Sequence, residues 1–531
     1  AIQTSETPED FQQEFGQIYS RTNFSGGEGL DKAHRREGTP NDFSRFWDSK
    51  GIDVFHAEQD NSYSVRLLKD VEQKTLTLSS ENNYLAQTTN GYMYITDGTS
   101  IYQSTNEGVT WTAMTSTGVS YEIQGIVAFG NDVFIVTGDG GTNKQLISYD
   151  LSTTTFTTET LGSIFTGAFT GIWFAKGTLF VSGKSTTAEY LWQSSPFTAN
   201  FSGDFQVTDA LVTTEPTHQF TSVVDAGAVV LAGNTDSNVY SLKIDGGTWS
   251  LKGQTQLAFE EIHSLAATEG IVYVGTKGYQ SNTGRFYTAE LTVADNLYVL
   301  ANRQLIKEWD NGVDQSPHSM FVTRDSVYMG IHESATETNL WRYYLPTAGI
   351  ARDLSVTHSS DANAKVTGIT QTGTTGGKFI ILISGVGVYK QTDTFVSTGY
   401  IISALADFYT SEKKQWVGAK LNTNGVSFGT VELATTTIPN DINDSTSSTW
   451  DPQISVASGT GGEEEVLELV QGRWMSAKLT ITTTDTSQSP ELLSFAVRGF
   501  QLVNDLVVDM PINISDQVER PFRKALRVNG Q

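Results

Sequence analysis

The chain has 531 residues, 38% of them hydrophobic, and a formal net charge of −25 from 34 Lys and Arg against 59 Asp and Glu. That length permits several domains and a sizeable core, while the negative charge disfavours nonspecific binding to nucleic acid or an anionic bilayer. Cysteine is absent, which excludes disulfides, thiolate metal sites and a Cys nucleophile, and fits assembly in a reducing cytoplasm.

Ala1-Ile2-Gln3-Thr4 is polar, without the basic and apolar regions of an export signal, and no later apolar run nears 18 residues. As read from these segments, the chain is neither exported through such a signal nor inserted in a membrane. Thr7-Pro8-Glu9-Asp10 followed by Phe11, Phe15, Ile18 and Tyr19 suits the start of a short amphipathic helix. The rest of residues 1–60 interleaves aromatic and basic side chains without alternation, and reads as an extended N-terminal arm. Phe24, His34, Arg35, Arg36, Phe43, Arg45, Phe46 and Trp47 are its candidate interaction residues, because Arg and aromatics are enriched in the centres of interfaces.

From about Leu76 to Thr398 one pattern returns seven times: a short apolar strand, a turn, a second apolar strand, and a third strand carrying an aromatic residue. The turn residues Gly91, Gly130, Gly177, Gly227, Gly270, Asp325 and Gly377 stand 39, 47, 50, 43, 55 and 52 positions apart. A four-stranded unit at that period is a β-propeller blade, and copies must pack on one another to bury both faces. The expected domain is a seven-bladed propeller over 61–398. Thr75–Ser79 is the candidate strand from the N-terminal side that completes the last blade. Small residues ending the second strands, such as Gly138 and Gly183, fit crowding of backbones near a central channel. Among the aromatics, Trp111, Trp173, Trp192, Tyr240 and Trp249 are the residues that would face a ligand if the channel bound one.

Within the first copy, Ser104, Asn106, Gly108, Thr110 and Trp111 resemble the Asp-box of sialidases and related propellers, with Asn106 where the usual Asp stands. The resemblance implies a structural hairpin whose side chain accepts backbone N–H bonds. A sialidase would also need arginines converging from across the ring on a substrate carboxylate. None occurs from Leu67 to Gly284, and Arg285, Arg303, Arg324, Arg342 and Arg352 are confined to the later blades. No catalytic residue is therefore assigned, and no cofactor. His263 and His318 occupy comparable blade starts but lack the spacing of a metal-binding helix, so no metal site is assigned either.

Beyond the repeat, Lys413–Leu421, Val426–Leu433, Gly472–Ile481 and Ser489–Val497 alternate as strands, the last two joined by a polar turn. They predict a jelly-roll-like β-sandwich over 399–500. Glu463-Glu464-Glu465 follows a long polar loop and reads as a solvated turn. Residues 501–531 read as an extended tail turning basic at Arg520, Arg523, Lys524 and Arg527. The expected class is all-β.

The Gly-rich stretch at Ser25–Gly29, the His34-Arg35-Arg36 patch and the run Arg45-Phe46-Trp47-Asp48-Ser49-Lys50-Gly51-Ile52-Asp53-Val54 resemble the N-terminal parts of tailed-bacteriophage minor tail proteins. The sandwich is similar to the carbohydrate-binding-like sandwich of phage tail proteins, where it is mostly an interaction module. The resemblance implies a virion protein, tail or tail-tip associated, assembled in the host cytoplasm. Its partners would be other tail proteins and copies of itself, with a host-surface glycan or receptor as a further partner. The competing reading is a polysaccharide-binding or polysaccharide-degrading propeller.

Overall fold

The computed structural model describes residues 16–29, 44–56, 64–159, 167–194, 210–257, 259–310, 312–373, 377–406, 413–424, 426–440, 443–457, 461–465, 470–501, 505–511 and 523–529. Every regular element among them is a strand apart from short 3-10 turns. The chain divides into two compact units, Leu68–Val396 and the pair Ala1–Leu67 with Ser397–Gln531.

The first unit is a β-propeller of seven blades, each of four antiparallel strands. Blades 1 to 6 take theirs in chain order, beginning with Leu85–Gln87, Ile123–Phe129, Ala168–Ala175, Phe220–Asp225, Glu260–Thr268 and Met320–Val322. Blade 7 is Val366–Gln371, Phe379–Ile383 and Gly387–Phe395, completed by Lys69–Thr77. The first strands are innermost. Each neighbours the first strand of the next blade, and Val366–Gln371 neighbours Leu85–Gln87, so the ring closes. Gly91, Gly130, Gly177, Gly227 and Gly270 turn from first to second strand with φ of +60 to +88°, a region that glycine enters without steric cost.

Second strands carry their apolar residues consecutively rather than in alternation because both faces are covered. Met93–Asp97, Val230–Asn234 and Phe379–Ile383 are buried at every position. On the third strands, Tyr149, Trp192, Tyr240, Tyr287, Trp341 and Tyr389 are buried between neighbouring blades. Each such side chain contributes roughly 1.5–3 kcal/mol relative to an exposed one.

The small residues that end the second strands serve blade contact rather than channel crowding. A Cβ on Gly233 would stand 2.7 Å from Ile262 of the next blade, and one on Gly330 would stand 2.2 Å from Val366. The channel itself belongs to the first strands.

The second unit is a sandwich of two antiparallel sheets. One runs Gly461–Glu465, Lys414–Asn424, Glu491–Gln501, Val65–Leu67 and Ile52–Asp53, with Gly16–Arg21 beside Glu491–Gln501. The other runs Asp451–Val456, Gly429–Thr436, Ser476–Thr483, Thr398–Ile402 and Asp48–Lys50. Trp416, Leu421, Leu433, Leu479, Ile481 and Phe495 are each at most 1% exposed.

Several expectations are corrected here. Residues 1–60 are no free arm where they are described, because strands at 16–21, 48–50 and 52–53 complete the sandwich. Ile18 and Tyr19 lie in a strand rather than a helix, paired with Arg498 and Val497. Ser476–Thr483 and Glu491–Gln501 fall in different sheets, so the polar segment between them crosses the sandwich instead of closing a hairpin. Gly461–Glu465 is a strand on Ala419–Thr423, not a turn. The tail forms an antiparallel hairpin of Asp505–Pro511 and Arg523–Asn529.

Candidate functional site

Five first strands share an irregularity at the same place. The pairing with the second strand skips one residue, leaving Gln124, Thr170, Thr221, His263 and Thr367 as bulged positions. A bulge inserts a residue without a ladder partner and re-aims its side chain. All five line one cavity of about 430 Å³, at the end of the channel where the innermost strands begin. Gln219, His318, Asn82, Tyr84 and Trp173 line it too. The wall is mostly amide, hydroxyl and imidazole, groups that both donate and accept hydrogen bonds.

The sequence carried a signal for this ring that went unread beyond the two histidines. Ile123-Gln124-Gly125-Ile126, Phe169-Thr170-Gly171-Ile172, Phe220-Thr221-Ser222-Val223, Ile262-His263-Ser264-Leu265 and Val366-Thr367-Gly368-Ile369 each set one polar residue, then a small one, inside an apolar run.

Between blades 5 and 6 two histidines line the wall, with charged side chains beside them. The rings of His263 and His318 meet edge-on with centroids 4.5 Å apart. His263 Nε2 lies 3.5 Å from Glu261, and His318 Nε2 lies 3.7 Å from Asp314. Lys277 Nζ donates to Asp314 Oδ2 at 3.0 Å, and Ser316 Oγ stands 3.0 Å from His318 Nε2. Burial and the neighbouring His263 hold the His318 imidazole well below its usual range. Asp314 is buried, which opposes its ionisation, yet the nearby His318 imidazole and hydrogen bonds from Ser316 and Lys277 hold its carboxyl well below the carboxylate range. The His263 imidazole beside it lowers Glu261 from its ordinary value. Asp314 is thus held as an ion by Lys277. Among the described residues no group of three or more His, Asp or Glu side chains is placed to hold a metal.

Behind Thr170 stands Glu189, fully buried. The Thr170 hydroxyl donates to Glu189 Oε1 at 2.5 Å and lies 2.7 Å from Ser182 Oγ, while Glu189 Oε2 is buried without a hydrogen-bond partner. Burial pushes this carboxyl up to about 7.

The Asp-box-like residues form a turn away from this cavity. Asn106 Oδ1 accepts from Thr110 N at 3.0 Å and from Ser104 Oγ at 3.0 Å, and its Nδ2 donates to Thr110 Oγ1 at 2.8 Å. Gly108 N donates to Ser104 Oγ at 2.9 Å. Gly108 has φ +74°, and a Cβ there would stand 2.7 Å from Ile380 of blade 7. Trp111, half-buried, packs with Met93, Ile95, Ile380 and Val388 at the seam between blades 1 and 7. Asn106→Ala is expected to cost about 1 kcal/mol in denaturant unfolding, and Asn106→Asp, which keeps the acceptor, less. Equal stability of all three chains would refute a role for these bonds.

Of the aromatics weighed as ligand-facing, Trp192, Tyr240 and Trp249 are instead 2%, 6% and 5% exposed, packed between blades. Trp249 Nε1 donates to Thr178 Oγ1 at 3.3 Å. Only Trp173 of the five lines the cavity.

The interaction residues proposed for the N-terminal segment are not presented together. Phe24 and Phe46 are 1% and 0% exposed, with Phe24 stacked on Phe495 at 6.1 Å. Trp47 packs on Ile402, Leu405 and Trp450, and Arg45 is half-buried. His34, Arg35, Arg36 and Phe43 lie outside the described residues.

No family model matches the chain, and no curated protein matches it. Among solved structures, one from the mitotic checkpoint complex aligns at 12% identity over 61% of this chain and 91% of that one, with a TM-score of 0.42. YCF48 bound to D1 peptide aligns at 13% identity over 61% and 95%, TM-score 0.41. The N-terminal domain of Nup159 aligns at 11% identity over 61% and 94%, TM-score 0.38. Likeness at this level says nothing of what the chain does.

Proposed function

We propose that this chain is a structural component of a tailed-phage virion, tail or tail-tip associated, that works by assembly rather than by catalysis. The observation that carries the reading is the division of labour along the chain. Segments from both ends fold together as one sandwich, and the propeller is an insertion that begins and ends side by side, with Val396 N donating to Leu68 O at 3.0 Å. Such an insertion leaves the ring as a module of its own, separate from the one built from the flanking segments. The resemblance of residues 23–54 to minor tail proteins supplies the context, with other tail proteins and copies of this chain as partners. The Lys277–Asp314 ion pair beside the channel suits a binding wall better than proton transfer.

Gold-labelled antibody against this chain is expected to decorate the tail or its tip on negatively stained virions. Label confined to the capsid, or none on virions that contain the chain, would overturn the reading. Truncating residues 1–54 is a poor test of docking, since it removes three strands from the sandwich. Arg35→Glu with Arg36→Glu is the sharper one, expected to block incorporation while leaving the melting temperature of the isolated chain unchanged.

A further inference from the structure

We infer that the channel end walled by Gln124, Thr170, Gln219, Thr221, His263 and Thr367 is a binding site for a neutral oligosaccharide, with Phe259 and Tyr279 as its apolar platform. Nothing in this inference depends on the virion reading.

The first argument is the chemistry of the wall. Six side chains contributed by five blades surround a cavity of about 430 Å³, within the range of small-ligand pockets. Thr170 and Thr221 already donate their one hydroxyl proton, to Glu189 and to Ile262 O, and keep lone pairs to accept with, while Gln124, Gln219, His263 and Thr367 carry both donor and acceptor atoms, the mixture that a ligand bearing many hydroxyls requires. The remaining ionisable lining residues away from the histidines are Glu81, Tyr84 and Lys365, so the two formal charges cancel. Glu261 and Asp314 already hold cationic or hydrogen-bonding partners. An anionic ligand would meet no cluster of Arg or Lys here, and a chain of net charge −25 would repel it.

A second, independent argument comes from blade 5. Phe259 is 83% exposed and holds φ +62°, a region costly for a bulky side chain. Tyr279 is 59% exposed and donates its backbone N–H to Phe259 O at 2.9 Å, which fixes the two residues together. An exposed Phe in a strained backbone gains nothing for the isolated fold, which is the usual mark of a surface kept for contact. Phe259 immediately precedes the innermost strand Glu260–Thr268 and stands four residues before His263, within at most roughly 13 Å of the cavity wall. Flat aromatic faces accept the C–H face of a sugar ring, and the amides and hydroxyls beyond them take its oxygens. A peptide would seek pairing on an open strand edge, and each innermost strand is paired on one side only within its sheet, so retention on a peptide resin is among the outcomes that would overturn the assignment.

Affinity electrophoresis of the full chain through dextran, mannan or arabinogalactan, with alginate as the acidic control, tests this. Retardation by at least one neutral polysaccharide is expected, falling about tenfold or more in Phe259→Ala/Tyr279→Ala and in Gln124→Ala, as for residues central to an interface. Phe259 and Tyr279 are exposed, and Gln124 makes one long hydrogen bond, from its Nε2 to Gly138 O at 3.4 Å; an unchanged melting temperature in each variant certifies folding. No retardation by any neutral polymer overturns the proposal, as does retardation by alginate alone. Retardation that all variants share with the parent chain also overturns it, and so does retention on a random-peptide resin with none on the polysaccharides.

Discussion

Truncating Trp341 to alanine is expected to lower the stability of the propeller by about 3–5 kcal/mol, the range for deleting a large buried aromatic. Its side chain is 1% exposed and meets Trp309 edge-on at 5.4 Å in the core between blades 5 and 6. Its Nε1 donates to Glu333 Oε1 at 2.7 Å, and Arg352 lies 5.2 Å from the ring centre while also binding Glu333 at 3.1 Å. Truncation therefore opens a cavity and strips one donor from a carboxylate that stays ionised in a buried site. Trp341→Phe should recover much of the apolar contact but not the hydrogen bond, and should fall between the two. Trp111→Ala is expected to cost less than Trp341→Ala, because Trp111 is half-buried and its buried Nε1 has no hydrogen-bond partner to lose. Denaturant unfolding followed by a probe in the propeller ranks them. A Trp341→Ala chain as stable as its parent, or less affected than Trp111→Ala, would show that the inter-blade core is not where stability resides.

The second large effect is a dependence on pH. The Glu189 carboxyl has an ordinary value of 4.5 and is pushed up to about 7 by burial, against the opposing influence of Thr170 and Lys184. Between those values the folded chain holds a proton that the unfolded chain has released. Stability is thus greatest below about pH 4.5 as far as this group is concerned, and is lost as pH rises towards 7 and beyond. The displacement is worth about 3 kcal/mol at roughly 1.4 kcal/mol for each tenfold change in proton affinity. Asp132 and Glu159 are also raised by burial, so the parent must be compared with Glu189→Gln rather than read alone. The difference in unfolding free energy between the two is expected to grow in favour of the variant from pH 5 to pH 8. A difference that stays flat over that range would mean that Glu189 is ionised throughout.

The propeller was legible because its information is local. Period-two apolar strands, a glycine at the first turn and an aromatic on the third strand repeat within one blade, and Tyr149, Tyr240 and Trp341 all occupy the position that this pattern assigns them. The strand donated from the N-terminal side was legible for a different reason: Phe379–Lys390 cannot complete four strands alone, and Lys69–Thr77 supplies the missing one. The polar channel was not legible in the same way. A bulge is a property of two strands in register, so a single polar residue such as Thr221 looks like any interruption until its partner strand is known. The N-terminal strands were hidden by distance and brevity. Ile52–Asp53 has two residues, too few for periodicity, and Gly16–Arg21 finds its partner at Phe495–Phe500.

The closure of blade 7 also sets an order of events during synthesis. Lys69 and Asp393, bonded in the finished ring, are 324 positions apart. At translation rates of about 5–20 residues per second, the Lys69–Thr77 segment waits roughly a quarter of a minute to a minute for its partner. During that interval it is an unpaired edge, the kind of surface that recruits other chains. Its sequence, KDVEQKTLT, sets Lys69, Asp70, Glu72 and Lys74 among few apolar residues, so the strand that closes the ring is also the one that charge keeps from pairing wrongly while the ribosome finishes the ring.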